Sequence, residues 1–425
     1  MQSVRSVGRG FFPLDEELAL LPGSLTPHTH ESLVRLGAWM PFEPATQLLS
    51  DMLGVSVSKS KGERYTEAAG GAYVALQTEE ADEIERQAPA ALPGSEKLVM
   101  SADGAMVPVL QGEWAEVKTM VIGEVTAPVL ERGEWVVHTR NLSYFSRLVN
   151  SERFEHLTLS EVHRRGVESS HQVAAVMDGA DWLQGLVDYH RPDAVRILDF
   201  PHAGQRLGQV AQAIWGEETP ETSQWTSEQL HQLKHQGAAC VLAQLRQLQE
   251  QHSELEVLAE NLAYLEKRKA QMQYPVFQQQ GWPIGSGIVE SGNKLVVEAR
   301  LKGAGMHWKR ANVDPMLALR NIICSDRWRQ EWPRIEQRLR QQETQRRKAL
   351  WEKHRRTKQP AVTLLPETVV TEVPEPPPVS QTDPPTETVV QPVKRTEPWR
   401  PAANHPWRHS PLGRALYRPS DPAKN

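Results

Sequence analysis

Cysteine is nearly absent from this chain. Only Cys240 and Cys324 occur among its 425 residues. Two cysteines supply neither a disulfide framework nor a Cys-x-x-Cys zinc site, and they favour a reducing compartment. The chain also lacks an apolar run of about 18 residues, which a transmembrane helix needs. Its first residues, MQSVRSVGRGFFPLDEE, contain no apolar core typical of a signal peptide. We therefore expect a cytoplasmic protein with no membrane partner.

An excess of positive charge is missing too, because the formal net charge is −5. The distribution of charge says more about nucleic-acid binding than the sum does. Residues 327–358 hold 12 Lys and Arg against 4 Glu, and their pattern predicts a basic helix. Residues 359–425 hold 15 of the 31 prolines, which predicts a disordered Pro-rich tail.

The first part of the chain, residues 1–74, has helical patterns. A Thr26–Pro27 start and a Gly54 stop are typical helix boundaries. A third, short helix carrying Lys59, Lys61 and Arg64 would complete either a DNA-reading helix-turn-helix or an ordinary helical bundle. Residues 75–97 are acidic and rich in Ala and Pro, so we expect a connector there.

The middle of the chain predicts an α/β domain with a mixed sheet. Strand patterns occur in KLVMSADGAMVPV, EVKTMVIGEV and EWVVHTR, and again near 172–178 and 194–200, with a helix at about 150–168. This domain would comprise residues 98–203 and 282–326, interrupted by a helical insertion at 204–281.

Two aspartates end predicted strands, each directly before a glycine. They are Asp103 and Asp178. Taken singly, such an Asp-Gly pair normally forms a turn. If both strands lie in one sheet, the two carboxylates can approach each other, and their repulsion then calls for a cation. Mg²⁺ is suited to that role because it prefers carboxylate and water oxygens.

A third acid follows a glycine-hinged turn in PIGSGIVESGNK, residues 283–294. Glu290 is either a helix-start residue that favours the helix dipole or a third ligand of a two-metal site. In the second case Gly285 and Gly287 would let its helix approach the sheet. The residues alone leave both alternatives open.

These segments together resemble the bacterial insertion-sequence transposases of the ISKra type, which are relatives of the Mutator-like group. The resemblance covers about residues 10–325, and its most specific part is 283–308. The segments that carry it are FFPLDEELALLPG, FEPATQLLSDMLGVSVS, SADGAMVPV with EWAEVKTMVIGEV, VAAVMDGADWL, ILDFPHAGQRL and PIGSGIVESGNKLVVEARLKGAGMHW. It implies a ribonuclease-H-like catalytic domain, preceded by a helical DNA-binding region.

The resemblance also implies roles for individual residues. Asp103, Asp178 and Glu290 would be the catalytic acids and would bind Mg²⁺ or Mn²⁺. Asp199 competes with Asp178 as the second acid, and His202 follows it in an Asp-x-x-His motif that supports the site. We favour Asp178.

Further residues are expected to contact DNA. Basic and aromatic side chains near Glu290 can neutralise phosphates or stack on bases. The candidates are Asn293, Lys294, Arg300, Lys302, Trp308 and Lys309. Trp225 in the insertion is either a base-stacking residue or a core residue.

The implied activity is metal-dependent DNA cleavage and strand transfer at the ends of an insertion sequence. The expected partner is DNA, the expected assembly a homo-oligomer, and the expected place the bacterial cytoplasm at the nucleoid. Two alternatives are a ribonuclease-H-like nuclease or resolvase without strand transfer, and a non-catalytic DNA-binding protein. Family members often carry a cysteine-based zinc module near the N-terminus. No cysteine occurs there in this chain, so we expect a member without the module or a truncated reading frame.

Overall fold

A computed structural model describes residues 25–131 and 133–358. The predicted Pro-rich tail lies outside these residues. The first described part consists of three helices, α1 (Pro27–Trp39), α2 (Phe42–Leu53) and α3 (Lys59–Gln87). Thr26 caps α1 by accepting a hydrogen bond from Thr29 N at 3.4 Å. Gly54 ends α2 with φ of 66°, in the left-handed region that glycine adopts without strain. Among the described helices, none combines the length and apolar character of a membrane crossing.

The helix α3 is longer than the sequence pattern predicts. Residues 75–87, predicted to belong to a connector, form its last turns. Gln77 and Ala81 are buried there, so one face of this acidic stretch packs inward while the acids lie on the other. The link between α3 and the first strand is therefore confined to residues 88–96.

A five-stranded mixed sheet lies at the centre, which confirms the predicted α/β class. Its strands are β1 (Lys97–Pro108), β2 (Trp114–Val125), β5 (Thr139–Arg147), β6 (Gln172–Met177) and β7 (Val195–Leu198). The spatial order is β5-β2-β1-β6-β7. The pairs β1–β2 and β2–β5 are antiparallel, and the pairs β1–β6 and β6–β7 are parallel.

The third strand of the sheet is not where the sequence predicts it. Residues 134–136 of the predicted strand EWVVHTR form β4 (Glu134–Val136), which pairs with β3 (Val129–Glu131) in a separate hairpin. The sheet strand β5 starts at Thr139 and continues to Arg147. Its second half is buried on both faces, with Tyr144 and Phe145 packing into different core clusters. That two-sided burial removes the alternation that marks a half-exposed strand.

Helices cover both faces of the sheet. One face packs against α4 (Ser151–Arg164) and α5 (Asp181–His190). The other face carries the insertion, which is helical as predicted. Its helices are α6 (Phe200–Trp215), α7 (Pro220–Gln236), α8 (Ala238–Gln251), α9 (Glu256–Lys267) and α10 (Tyr274–Gln279).

The remaining helices follow the glycine-hinged turn. They are α11 (Gly287–Gly292), a π-helical stretch (Asn293–Glu298), α12 (Ala299–Leu301), α13 (Arg310–Cys324) and α14 (Trp328–Lys358). The first half of α14 shares one hydrophobic cluster with α1, α3 and α13. The initial helices and the predicted basic helix are thus parts of one packed layer.

Candidate active site

The register of the parallel strands places two of the predicted catalytic acids side by side. In the β1–β6 pair, Lys97 lies opposite Gln172, and each following pair keeps the separation of 75 residues. Asp103 and Asp178 have that same separation. The Ser101 hydroxyl donates to Val176 O at 2.6 Å, so the two strands stay together up to this level. Both acids therefore lie side by side, but only Asp178 follows the end of its strand, because Asp103 lies inside β1 opposite Thr119 of β2.

Asp199 continues the same row on the next strand. In the β6–β7 pair, Ala174 lies opposite Val195, a separation of 21 residues that Asp178 and Asp199 share. Asp199 N donates to Met177 O at 2.9 Å, which extends this pairing past the end of β7. Since side chains alternate between faces along a strand, all three aspartates project toward the face covered by the insertion and α11.

Asp103 is partly buried, and hydrogen bonds hold both of its carboxylate oxygens. Its Oδ1 accepts a hydrogen bond from Gly104 N at 2.7 Å, and its Oδ2 accepts one from Asn293 Nδ2 at 3.2 Å. Burial raises the pKa of Asp103, and the negative charges of Asp178 and Glu290 raise it further against these two hydrogen bonds. The three carboxylates are thus close enough to affect one another electrostatically.

The other two predicted acids differ in exposure. Asp178 is partly buried, and its Oδ1 accepts a hydrogen bond from Ala180 N at 2.8 Å. Glu290 is exposed in the first turn of α11. No Lys or Arg of the described ranges forms an ion pair with any of the three acids. None of the three carboxylates is therefore neutralised by a direct ion pair within these ranges.

The three acids suit a metal ion by the chemistry of their oxygen atoms, but their side chains are not close enough together to hold one. Three carboxylates offer the hard oxygen atoms that Mg²⁺ and Mn²⁺ prefer. In residues 25–131 and 133–358, however, no three His, Cys, Asp or Glu side chains are gathered closely enough to hold a metal ion. A cation would have to draw in a more distant carboxylate, and the exposed Glu290 side chain has room to turn.

Asp199 is occupied by backbone groups, unlike Asp178. It is buried, its Oδ2 accepts from His202 N at 2.9 Å, and its Oδ1 accepts from Ser286 N at 2.7 Å. Phe200 N also donates to Ile284 O at 2.9 Å. Asp199 therefore caps α6 and ties the glycine-hinged turn to β7. This arrangement favours Asp178 over Asp199 as a metal ligand.

His202 lies near Asp178 at the start of α6. Burial lowers the pKa of His202, Arg206 and Arg268 act in the same direction, and the negative charges of Asp178 and Asp199 oppose them. Its ring centroid is 5.9 Å from that of Tyr264. The ring thus faces the insertion at the edge of the row of acids.

The close approach of α11 to the sheet depends on a different glycine from those predicted. A Cβ at Gly292 would lie 2.8 Å from Val121 Cγ2 and 3.1 Å from Tyr144 Cε1, whereas one at Gly287 would meet nothing within 4 Å. At Gly285 the nearest atom would be Asp199 Oδ1 at 3.9 Å. Gly292, the glycine two residues after Glu290, lets the helix pack against β2 and β5.

Two of the residues predicted to contact DNA belong to the core instead. Arg300 is 1% exposed, and its Nε donates to Gly37 O at 3.0 Å. Its guanidinium stacks on the rings of Phe42 and Trp308, and burial lowers its pKa to about 10. Trp308 is buried and donates from Nε1 to Leu301 O at 3.1 Å. Neither side chain is placed to reach a DNA strand.

The other four candidates divide between the acids and the surface. Asn293 is buried and holds Asp103. Lys302 pairs with Glu298 at 2.7 Å on its own helical segment. Lys294 and Lys309 are exposed. Trp225 packs at 5.5 Å from Trp215 in the insertion, which favours its core alternative.

The predicted basic helix is partly neutralised. In α14, Arg334 pairs with Glu80 and Arg338 pairs with Glu79, both on α3. The acidic stretch predicted to be a connector thus supplies counter-charges to the basic stretch. The first turns of α14 face the protein, so this half is not placed to hold DNA.

The N-terminal basic residues lie at the start of α3. Lys61 and Arg64 approach the Tyr65 ring at 5.7 and 5.8 Å. Because α3 is buried on one side along most of its length, only its first turns resemble an exposed reading helix. Of the two alternatives, helix-turn-helix and ordinary helical bundle, the bundle describes how these helices pack. A DNA-reading role for them stays a prediction.

Sequence reasoning missed three side chains beside Asp178. They are Arg206 of α6 and Tyr264 and Arg268 at the end of α9. Both guanidinium groups stack on the Tyr264 ring, with Cζ 4.2 and 3.9 Å from its centroid. The segment YLEKR looks like any polar helix surface, so nothing in the sequence singles these residues out.

Comparison with known proteins adds no relative to these observations. No protein-family model matches the sequence, and no curated protein matches it.

Proposed function

We propose that this protein is a DNA transposase that uses Asp103, Asp178 and Glu290 for metal-dependent strand cleavage and strand transfer. The observation that carries the proposal is the row of acids. Asp103, inside β1, and Asp178, just past the end of β6, keep the register of the parallel β1–β6 pair, and the charge of Glu290 reaches Asp103 from the helix above. Carboxylates that repel one another and form no ion pair with a described Lys or Arg are costly to the fold, so we expect them to serve a cation.

The metal site would be formed by these three carboxylates. When bound, Mg²⁺ or Mn²⁺ supplies positive charge for the attacking and leaving oxygens of an in-line displacement at phosphorus. Asn293 and Gly104 orient the Asp103 carboxylate through their hydrogen bonds. Asp199 fixes the turn that precedes α11, and this determines the position from which the Glu290 side chain extends.

Two exposed lysines near the site could bind the phosphates of a polyanion such as DNA. Lys294, one turn beyond Glu290, and Lys309 at the start of α13 are exposed. Lysines in such positions neutralise phosphates and make binding depend on salt. The mixed sheet, with three antiparallel strands before two parallel ones, supports a ribonuclease-H-like domain. We further propose that the protein acts as a homo-oligomer on paired ends at the bacterial nucleoid.

The test is to incubate the chain with duplex oligonucleotides that carry the ends of its own genetic element, in Mg²⁺. Joined products are expected, and Glu290→Ala should lose both cleavage and joining. Nicking without joining would favour a nuclease or resolvase, and binding without nicking would favour a DNA-binding protein. Full activity of Glu290→Ala would show that the acid assignment is wrong.

A further inference from the structure

Asp178 is followed by a short loop whose conformation determines where its carboxylate points. The strand β6 ends at Met177 and α5 begins at Asp181. Within the loop, Ala180 N donates to Asp178 Oδ1 at 2.8 Å. The carboxylate is therefore oriented by the peptide groups of its own loop, and any contact that fixes those peptides also fixes the carboxylate.

The insertion contacts both polar groups of Gly179, the middle residue of this loop. Gly179 N donates to Tyr264 Oη at 3.0 Å, and Arg268 Nη2 donates to Gly179 O. Arg268 Nη1 also donates to Tyr264 O at 3.3 Å, so the two side chains are linked. Both come from the end of α9, which lies 85 and 89 residues along the chain from Gly179.

The fit at Gly179 leaves no room for a side chain. A Cβ there would overlap Arg268 Nε and Tyr264 Oη. Arg268 is buried, and a buried guanidinium needs hydrogen-bond acceptors to compensate for its lost hydration. The Gly179 carbonyl provides one of them. The Arg268–Gly179 bond is buried and the Tyr264–Gly179 bond is partly buried, and such hydrogen bonds hold geometry better than exposed ones.

We propose that the helical insertion acts as a clamp on the loop 178–180, in which Tyr264 and Arg268 are positioning residues for the Asp178 carboxylate. The clamp rests on the proposed function, because it positions a carboxylate for a metal ion. It also gives the insertion a task beyond contact with DNA. Apart from these contacts the loop is held by β6 and α5 at its ends and by the packing of Ala180 against the core.

The first measurement follows amide hydrogen exchange of residues 178–180 in the full chain without metal. Tyr264→Phe keeps the ring but removes the acceptor for Gly179 N–H, so exchange there should become more than about tenfold faster. Tyr189→Phe is a matched control. Tyr189 lies on an exposed surface of α5, and its hydroxyl donates to Glu85 of α3, away from the loop. Exchange in Tyr264→Phe equal to that in the control would overturn the clamp.

The second measurement is the affinity for Mn²⁺ by titration calorimetry in the absence of DNA. Loss of a group that orients a metal ligand typically weakens binding by about tenfold or more. Tyr264→Phe and Arg268→Met should both show this loss, whereas Arg246→Met should not, because Arg246 pairs with exposed Glu266 elsewhere in the insertion. In oligonucleotide cleavage, kcat should fall in Tyr264→Phe while KM for DNA stays unchanged.

The outcomes separate the clamp from the proposed function. Unchanged Mn²⁺ affinity in both variants, with an active wild-type chain, would overturn the clamp and leave the function standing. A wild-type chain that neither binds Mn²⁺ nor cleaves DNA would overturn the function, and amide exchange at Gly179 would then decide the clamp alone.

Discussion

At the scale of single residues, identical sequence signals have different structural meanings. Asp178 and Asp199 both end a strand at the same level of the sheet. In Asp178 one oxygen, Oδ1, accepts a backbone hydrogen bond. In Asp199 both oxygens accept one. The sequence shows the acid and its strand but not the backbone groups that meet it, which come from residues as distant as Ser286.

This difference leads to opposite expectations for two matched substitutions. Asp178→Asn should abolish cleavage without lowering the melting temperature, because it removes a repulsive charge. Asp199→Asn leaves one backbone N–H facing an amide N–H₂ group, which should cost about 1–3 kcal/mol of unfolding free energy. Thermal denaturation and oligonucleotide cleavage, measured on both variants, check this. Equal loss of stability in the two would contradict the assigned roles.

Asp103 carries a pH dependence that follows from the direction of its pKa shift. Its pKa in the folded protein is raised above the unfolded value, so its ionised form destabilises the fold at neutral pH. The cost disappears as the pH falls below the unfolded pKa of about 3.9. Asp103→Asn should therefore raise the unfolding free energy at pH 7, and Asn293 can turn its unpartnered Oδ1 toward the new amide.

The measurement is denaturant unfolding of wild type and Asp103→Asn between pH 7 and pH 4. The advantage of the variant should shrink toward acid pH. An advantage that grew on acidification would mean that the folded-state pKa is lowered.

At the scale of elements, an acidic and a basic segment of the sequence form ion pairs with each other. The acids of residues 79–85 and the arginines of α14 look like a linker and a DNA-binding stretch when taken separately. In the structure, α3 and α14 pack side by side, with Glu80 and Glu331 between Arg164 and Arg334. Local composition cannot reveal this, because the partners are about 250 residues apart in the chain.

The ion pairs of α14 differ in burial, so they should differ in their contribution to stability. Glu331 is buried and accepts from Arg164 Nη1 and Arg334 Nη1, both at 2.8 Å. Glu331→Gln should cost about 3 kcal/mol, since it removes a buried carboxylate and leaves two guanidinium groups to share Glu80. Arg338→Gln should cost less than about 1 kcal/mol, because its partner Glu79 is exposed. Urea unfolding of both variants tests this, and similar costs would contradict it.

The strands show the same limit of local patterns. Alternating and Val-rich runs place β1, β2, β6 and β7 well, because each has a polar break at its ends. The strand β5 was misplaced because its buried half includes Ser143, Ser146 and Arg147. Two of these side chains have partners far away in the chain, because Ser146 Oγ lies 3.0 Å from Thr119 Oγ1 and Arg147 Nη2 donates to Gln77 Oε1.

At the scale of the whole molecule, the sequence located the acids but not their arrangement. The separation of 75 residues between Asp103 and Asp178 acquires meaning only when β1 and β6 are known to pair in that register. The link from Asn293 to Asp103 and the contacts of Tyr264 and Arg268 with Gly179 depend on chain segments folding onto the sheet. Such contacts have no local pattern.

DNA binding should depend on exposed lysines and not on the paired arginines. Each phosphate contact contributes about −0.9 to the slope of log K against log salt concentration. Lys294→Ala with Lys309→Ala should flatten that slope by about 2. Arg338→Gln, whose charge is paired with Glu79, serves as the control and should leave it unchanged. Fluorescence anisotropy at several salt concentrations measures the slopes, and an equal change in both would exclude this surface.

The shared core of α1, α3, α13 and α14 has a consequence for evolution. In many proteins a DNA-reading module can be exchanged by gene fusion, because it meets the rest of the chain through a linker. Here Val34 and Tyr73 pack in one cluster with Ile322 and Trp332, so a chain beginning after α3 would expose that cluster to water. If the protein acts on DNA as proposed, new target preferences would have to arise by substitutions on the outer surface of these helices, and not by replacing them as a unit.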